Sequence, residues 1–443
     1  MPIKCRLMVK SMDMLPGRLY IVNKMKKIVL AAALWALVFF PAEADWADFY
    51  SWFSSQADGI ADPNTGLTAF PTLTVPIGGL YEGMGTAHTA VALDSSFIES
   101  NPAGSSLLEY TELTLYHNNW IADTSIEGVV YSVRYGNLGM GVAGKFLHVP
   151  FTGYNQWGDR SSGGQYAEII ATLNVAYNFF SSYDFYGLAV GANLKGAYRH
   201  VPLSIPRSVG VEDDQSALAG MVDIGFLTKF NFLKFYTARE RNFSIGGVVK
   251  NLGPPVGPED NPDPLPSMGK LGLGYKPIRP LLITLDYTVP FAIGLPPDHW
   301  ENHHIAVGSR VAVTDFFTVH NGFSYRGGNP RFTVGSSLQF ETLSFLLNYT
   351  LDLTTQVNRI DRFSIEAKLN LGDRGRKETA KRVDSLYAEG LDAYAAGDLN
   401  RAIAIWKAAL EIDPTFTPAE RNIALAERSL ELQETMRSLY QVE

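Results

Sequence analysis

Lys195, Arg199, Lys229, Lys250, Arg310 and Arg326 each lie in a stretch where apolar and polar residues alternate, and each falls on the polar side. Cations so placed can do two kinds of chemistry. They can pair with carboxylates of neighbouring stretches, and Glu168, Asp223, Asp286, Asp352 and Glu366 share the polar side. Alternatively, they can pair with the anionic end of a bound molecule, since an isolated buried anion is prohibitively costly. A guanidinium suits the second role because it grips a carboxylate with two parallel hydrogen bonds. Lys195, Arg199, Arg310 and Arg326 are therefore the candidate ligand-binding residues. Internal charge ladders account for the same residues, and spacing alone does not choose between the two.

No nucleophile elbow, phosphate loop or zinc-protease motif occurs in the chain, so no catalytic residue is assigned and an enzyme is not expected. His299, Glu301, His303 and His304 cluster in a polar stretch, with donors that suit zinc or copper. An ordinary polar loop explains them as well, and no metal or cofactor is expected. A net charge of -8 without a basic stripe gives no support for nucleic-acid binding.

The elements that must position the charges are strands. In 185–200, Tyr186, Leu188, Val190, Ala192, Leu194 and Tyr198 take one face, while Gly187, Ala189, Asn193, Lys195 and Arg199 take the other. Leu343 to Leu351 and Phe363 to Leu371 repeat the pattern. About fourteen such stretches lie between Leu107 and Gly372. Short connections, as at Gly136-Asn137 and Thr314-Asp315, alternate with long ones, as at Val149 to Gly164 and Leu252 to Pro266. An apolar-out, polar-in dyad with alternating loop lengths specifies an all-β, 14-stranded antiparallel transmembrane barrel, residues 107–372. An even strand count puts both barrel ends on the periplasmic side of an outer membrane. Leu188, Leu285 and Leu347 should then face lipid; Arg at Leu347 should be damaging and Arg at Asn348 tolerated.

Upstream, Lys26-Lys27, an apolar run from Ile28 to Phe40 and Ala42-Glu43-Ala44 read as a signal peptide over 25–44. Residues 1–24, which contain the only cysteine, Cys5, read as a start-site artefact. Between 45 and 106 the dyad is absent. Trp46, Phe49, Tyr50 and Phe53 have helical spacing, and a Gly- and Ala-rich run from Gly78 to Asp94 precedes Asn101-Pro102-Ala103-Gly104. Residues this small let backbone pack on backbone, as a segment folded inside a barrel requires.

The Gly-x-Gly-x-Ala-x-Thr-Ala run with a nearby Asp, followed by Asn-Pro-Ala-Gly just before a barrel, resembles the FadL family of outer-membrane transporters of long-chain fatty acids and other hydrophobic compounds, and within it a spirochaete branch. The resemblance implies an N-terminal hatch (45–106) plugging the barrel, with Asn101, Pro102, Ala103 and Gly104 in the hatch, and lateral substrate exit through a kink in the third strand. Gly139, Gly141 and Gly144 are the best site for that kink, because strand glycines mark bulges or close backbone approach, and Gly144 is the position chosen for a crosslink to the hatch. A tight turn joining hatch to barrel is the structural alternative for Asn101 to Gly104. The same segment also looks like the FadL-like shuttle of a bacterial secretion system, which binds protein cargo.

After a charged linker, 373–383, the period becomes helical. Leu386, Gly390, Tyr394, Gly397-Asp398, Ala402, Trp406, Ala409 and Pro414 match a tetratricopeptide unit, with Tyr394 one place late, and 419–440 could cap it. Residues 384–443 are thus expected to form a small α-helical, TPR-like periplasmic domain, either a stable knob or a docking site for a periplasmic protein. The reading is a monomeric, hatch-gated outer-membrane channel for long-chain fatty acids or similar amphiphiles. The alternative is a FadL-like scaffold that docks secreted or periplasmic proteins.

Overall fold

The computed structural model describes residues 62–120, 124–155, 157–201, 216–238, 240–257, 262–327, 329–352 and 361–440. The signal peptide, Cys5 and the helical spacing at Trp46 to Phe53 lie outside them.

Fourteen strands close into one antiparallel barrel, each paired with its sequence neighbours and β1 with β14. They are β1 (Glu112–Asn119), β2 (Ser125–Tyr135), β3 (Leu138–Tyr154), β4 (Arg160–Phe179), β5 (Leu188–His200), β6 (Ala217–Phe230), β7 (Phe243–Leu252), β8 (Ser267–Ile278), β9 (Leu281–Phe291), β10 (His304–Ala312), β11 (Phe317–Arg326), β12 (Asn329–Gln339), β13 (Leu343–Asp352) and β14 (Arg362–Asn370). The dyad sets which face looks out. Leu218 is 76% exposed and Leu347 43%, whereas their neighbours Ala219 and Asn348 are buried. A closed wall of exposed Leu, Val, Phe and Tyr is unfavourable in water and favourable against hydrocarbon.

Two connections depart from the expected pattern. β3 and β4 run on past Pro150, pairing Val149 with Tyr166 and Gly153 with Ser162, so the expected long loop from Val149 to Gly164 is a short turn between extended arms. Cross-strand pairing here overrides the turn residues Pro150 and Gly153. Conversely, 231–242, on the rim that carries both barrel ends, is a long connection where a short one is the rule.

Residues 62–107 lie within the barrel as a short helix α1 (Gly79–Gly83), a helical turn α2 (Phe97–Ser100), 3-10 turns and loops. They are mostly buried. After the barrel come α3 (Arg376–Ala395), α4 (Leu399–Ile412) and α5 (Thr417–Tyr440). Trp406 organises these helices. Its indole Nε1 donates to the Tyr387 carbonyl at 3.2 Å, and Gly390 makes room for it, since a Cβ there would lie 2.2 Å from that nitrogen. Ala402, Ala409, Ala419 and Ala426 are buried, which lets three helices close around one aromatic ring. The unit touches the barrel rim at two places. Arg376 donates to the carbonyls of Arg134 (2.8 Å) and Glu109 (2.6 Å), and Arg421 pairs with Asp184 of the β4–β5 connection at 2.5 Å.

Candidate functional site: a partitioned lumen

Inward-facing glycines on the strands decide how tightly the luminal segment seats. A Cβ on Gly322 (β11) would lie 1.9 Å from the Gly85 nitrogen, one on Gly139 (β3) 2.2 Å from the Ser105 carbonyl carbon, and one on Gly191 (β5) 2.6 Å from that of Pro102. Backbone packs on backbone at each.

Asn101 joins the two parts. Its Nδ2 donates to the Thr89 carbonyl (2.8 Å) and to the Phe226 carbonyl of β6 (2.9 Å), while its Oδ1 accepts from the Ala103 amide (3.1 Å). Asn174 of β4 donates to the Pro102 carbonyl at 3.0 Å, and Gly104 lies against Phe97, where a Cβ would be 2.5 Å from its Cβ. The Asn101 to Gly104 run is therefore a turn bonded into the wall.

Two cavities flank α1. Leu80 lines one of 170 Å³ toward the rim of the chain ends, with Asp94, Glu112, Arg310, Glu366 and Lys368. The next residue, Tyr81, lines a vestibule of 480 Å³ on the opposite side, with Lys250, Lys270, Arg326, Arg331 and Arg362. Glu82 fixes this partition. Buried, it accepts from Arg362 Nε (3.0 Å), Thr350 Oγ1 (3.0 Å) and Asn118 Nδ2 (3.1 Å). Asn348 Nδ2 donates to the Gly79 carbonyl at 2.9 Å. Position 348 is therefore filled by these contacts, and Arg there should not be tolerated, contrary to the facing argument alone.

Most lumen cations are paired. Lys195 is 2.6 Å from Asp223 and 3.0 Å from the Asn251 side-chain oxygen. Arg199 lies 3.6 Å from Asp263 and over the Phe70 ring. Arg326 grips Glu301 with Nε and Nη2 at 3.1 and 3.0 Å. Lys270 is 3.2 Å from Asp286, which also accepts from Thr89 Oγ1 at 2.6 Å. Glu301 sits in the connection before β10. Burial pushes its carboxyl up, but the His304 hydrogen bond and the Arg326 charge outweigh that and hold it at about 2.

Among the described cations lining the two chambers beside α1, one in each has no ion pair. Lys250 donates only to the Glu99 carbonyl and lies 5.6 Å from the centre of the Tyr81 ring; Arg310 reaches only Thr318 Oγ1, at 3.5 Å. Of the four sequence candidates, Arg310 is thus the one left open to a ligand. Lys250 was visible only as one inward cation among several. The sequence puts Arg362 on the polar side of its strand and Tyr81 and Glu82 in the glycine-rich run without giving any of them a site role, although a lone carboxylate between Gly78 and Gly85 could have flagged Glu82.

The ladder from β2 through β3 to β4 is unbroken across Gly139, Gly141 and Gly144. Gly139 and Gly141 face the luminal segment, meeting Ser105 and Phe97, and Gly144 faces outward beside Val129. A cysteine at 144 would therefore point away from the segment it was meant to reach. A narrow slot of 40 Å³, sharing Tyr81 and Lys250 with the vestibule, does extend to Val130, Ala143 and Gly144.

Together these features define a plugged β-barrel with an apolar exterior and a two-chambered, charge-lined interior. The chain belongs to the Uncharacterised protein family UPF0164, whose profile matches residues 48–374. One UPF0164 protein of Treponema pallidum (strain Nichols) is 28% identical over 400 residues, covering 88% of this chain and 89% of the relative. Another from the same organism is 27% identical over 384 residues, covering 81% and 75%. Among solved structures, the TodX monoaromatic hydrocarbon channel deltaS2 mutant aligns at 12% identity and a TM-score of 0.44, over 66% of this chain and 97% of that one. The Pseudomonas putida toluene transporter TodX aligns at 12% identity and 0.42, over 65% and 95%.

Proposed function

We propose that the protein is a monomeric outer-membrane channel for long-chain fatty acids or similar amphiphiles, in which residues 62–107 act as the hatch. One observation carries the reading: adjacent residues of α1, Leu80 and Tyr81, line separate cavities, and each cavity holds one cation without an ion pair, Lys250 or Arg310. An amphiphile's carboxylate would pair with Lys250 while its chain lies along Tyr81, Leu73 and Val75. Displacement of α1 would then pass the head to Arg310. Lateral exit past Ala143 and Gly144, at the end of the slot, is the second route, and it would require the ladder that is closed there to part. The resemblance of Gly78 to Gly104 to the FadL hatch supports this assignment, as does the apolar exterior.

In this arrangement the rim of the chain ends is periplasmic, and the three C-terminal helices form a periplasmic TPR-like domain. Their grip on both Glu109 and Asp184 supports the alternative, a scaffold in which a docked protein acts on the junction between hatch and barrel. Native mass spectrometry of the purified protein discriminates. A co-purified amphiphile that is lost in Lys250→Gln supports the channel, whereas a lipid-free protein that binds no added fatty acid favours the scaffold.

A further inference from the structure

The described residues of the β6–β7 connection, 231–238 and 240–242, are tied together by hydrogen bonds. The Asn242 side chain accepts from the Phe232 amide (2.9 Å) and donates to the Phe232 carbonyl (2.7 Å), and Tyr275 Oη donates to the Leu233 carbonyl (2.8 Å). Lys234 Nζ closes the loop on the carbonyls of Ala238 (2.6 Å) and Glu240 (2.5 Å). Yet the loop displays apolar side chains: Phe232 is 51% exposed, Leu233 61% and Phe235 71%. Leu233 has φ +42°, a left-handed conformation unusual for a branched residue, so the loop accepts backbone strain at the position it exposes.

The patch continues the barrel's exterior. Phe232 packs edge-on against outward-facing Phe243 (5.5 Å), which also meets Phe230 (5.0 Å) and Tyr275 (6.0 Å). Four cations lie in or beside the loop: Lys234, Arg241, which donates to the Tyr183 and Asp184 carbonyls, Lys276, which pairs with Glu240, and Arg279, which donates to the Thr237 carbonyl. Lys276 and Arg279 border an open basin of 470 Å³ together with Ala238 and Glu240, and Lys276 pairs with the exposed Glu240 carboxylate at 2.9 Å, an ion pair that an incoming phosphate would have to displace. Aromatic and basic groups combined at the edge of a lipid-facing wall match the interface of a bilayer carrying negative charge.

We propose that 231–238 is an interfacial anchor, which buries Phe232, Leu233 and Phe235 in the membrane leaflet at this rim, while Lys276 and Arg279 beside it bind the phosphate of an anionic phospholipid. The inference rests on the barrel spanning a membrane, so its test carries a control for that. Nitroxides are placed at Phe235→Cys and, separately, Leu347→Cys in a Cys5→Ser background, and the full chain is reconstituted in nanodiscs of phosphatidylcholine with or without phosphatidylglycerol. Oxygen should broaden both spectra more than a water-soluble nickel complex does. Lipid values at 347 with aqueous values at 235 would overturn the anchor and leave the barrel reading intact, exposing the loop to a protein partner instead. Aqueous values at both would sink the barrel reading itself. For the headgroup, Lys276→Gln and Arg279→Gln should each lower phosphatidylglycerol enrichment around the protein roughly fivefold. Unchanged enrichment in the double variant would reject the phosphate site.

Discussion

Gly322→Ala should separate a firmly seated luminal segment from a loosely held one. The added methyl would lie 1.9 Å from the Gly85 nitrogen and 2.3 Å from the Met84 carbonyl carbon, and backbone atoms have no rotamer by which to move aside. Either β11 bows or the turn after α1 lifts, and that turn already holds Gly85 and Thr86 at positive φ. Overpacking of this kind costs about 1–3 kcal/mol. The matched control is Gly196→Ala in β5, where a Cβ meets nothing within 4 Å. There the loss of unfolded-chain freedom should leave stability unchanged or raised by about 0.4–1 kcal/mol. Two measurements on vesicle-embedded protein read the outcome: urea unfolding for the energy, and vesicle swelling for small-solute leakage past a lifted segment. Gly322→Ala should lose stability and leak. If both variants match the unmodified protein in stability and tightness, the backbone contact is not what seats the segment.

Leu347→Arg places a charge on the exterior and should destabilise the barrel by roughly 2–4 kcal/mol, whereas Ser324→Arg, beside the 480 Å³ vestibule, should be tolerated; equal losses in urea unfolding would show the facing to be wrong. Glu301, held at about 2 against an ordinary 4.5, contributes stability that is complete above about pH 4.5 and lost as pH falls toward 2. Glu301→Gln should therefore flatten the acid limb of stability in that window, and an identical limb in both proteins would contradict the Arg326–Glu301–His304 linkage.

The wall was legible in the sequence because period two is a local property: Lys195, Arg310 and Leu347 face as the alternation requires. What the lumen does was not, because pairing across it joins residues far apart in the chain. Glu82 meets Arg362, and Asp223 takes Lys195, which would otherwise be open to a ligand. The same limit explains Asn348, where facing was right but occupancy by Gly79 could not be foreseen. Glycines on the polar side of the strands were the overlooked signal. Gly191, Gly225, Gly308 and Gly322 fall where a lumen-lining side chain would be expected, and each marks backbone or Asn101 pressed against the wall.

If the proposed passage past α1 holds, the Glu82–Arg362 contact sets how much a ligand must do to open the partition. Moving α1 separates a buried ion pair, which costs about 3–5 kcal/mol. In a channel that works by diffusion, the ligand must favour the displaced state by that amount. Burial contributes about 0.8 kcal/mol per methylene, so roughly four to six methylenes must be newly buried on displacement, beyond those already lying in the vestibule. Short acids would then occupy Lys250 without crossing, and uptake should begin above a threshold chain length. Glu82→Gln combined with Arg362→Gln keeps the site uncharged and removes the ion pair, so the threshold should fall by several carbons while long-chain uptake persists. An unchanged chain-length profile in that double variant would mean that α1 is not the barrier, and that amphiphiles leave through the wall at Ala143 and Gly144 without crossing the partition.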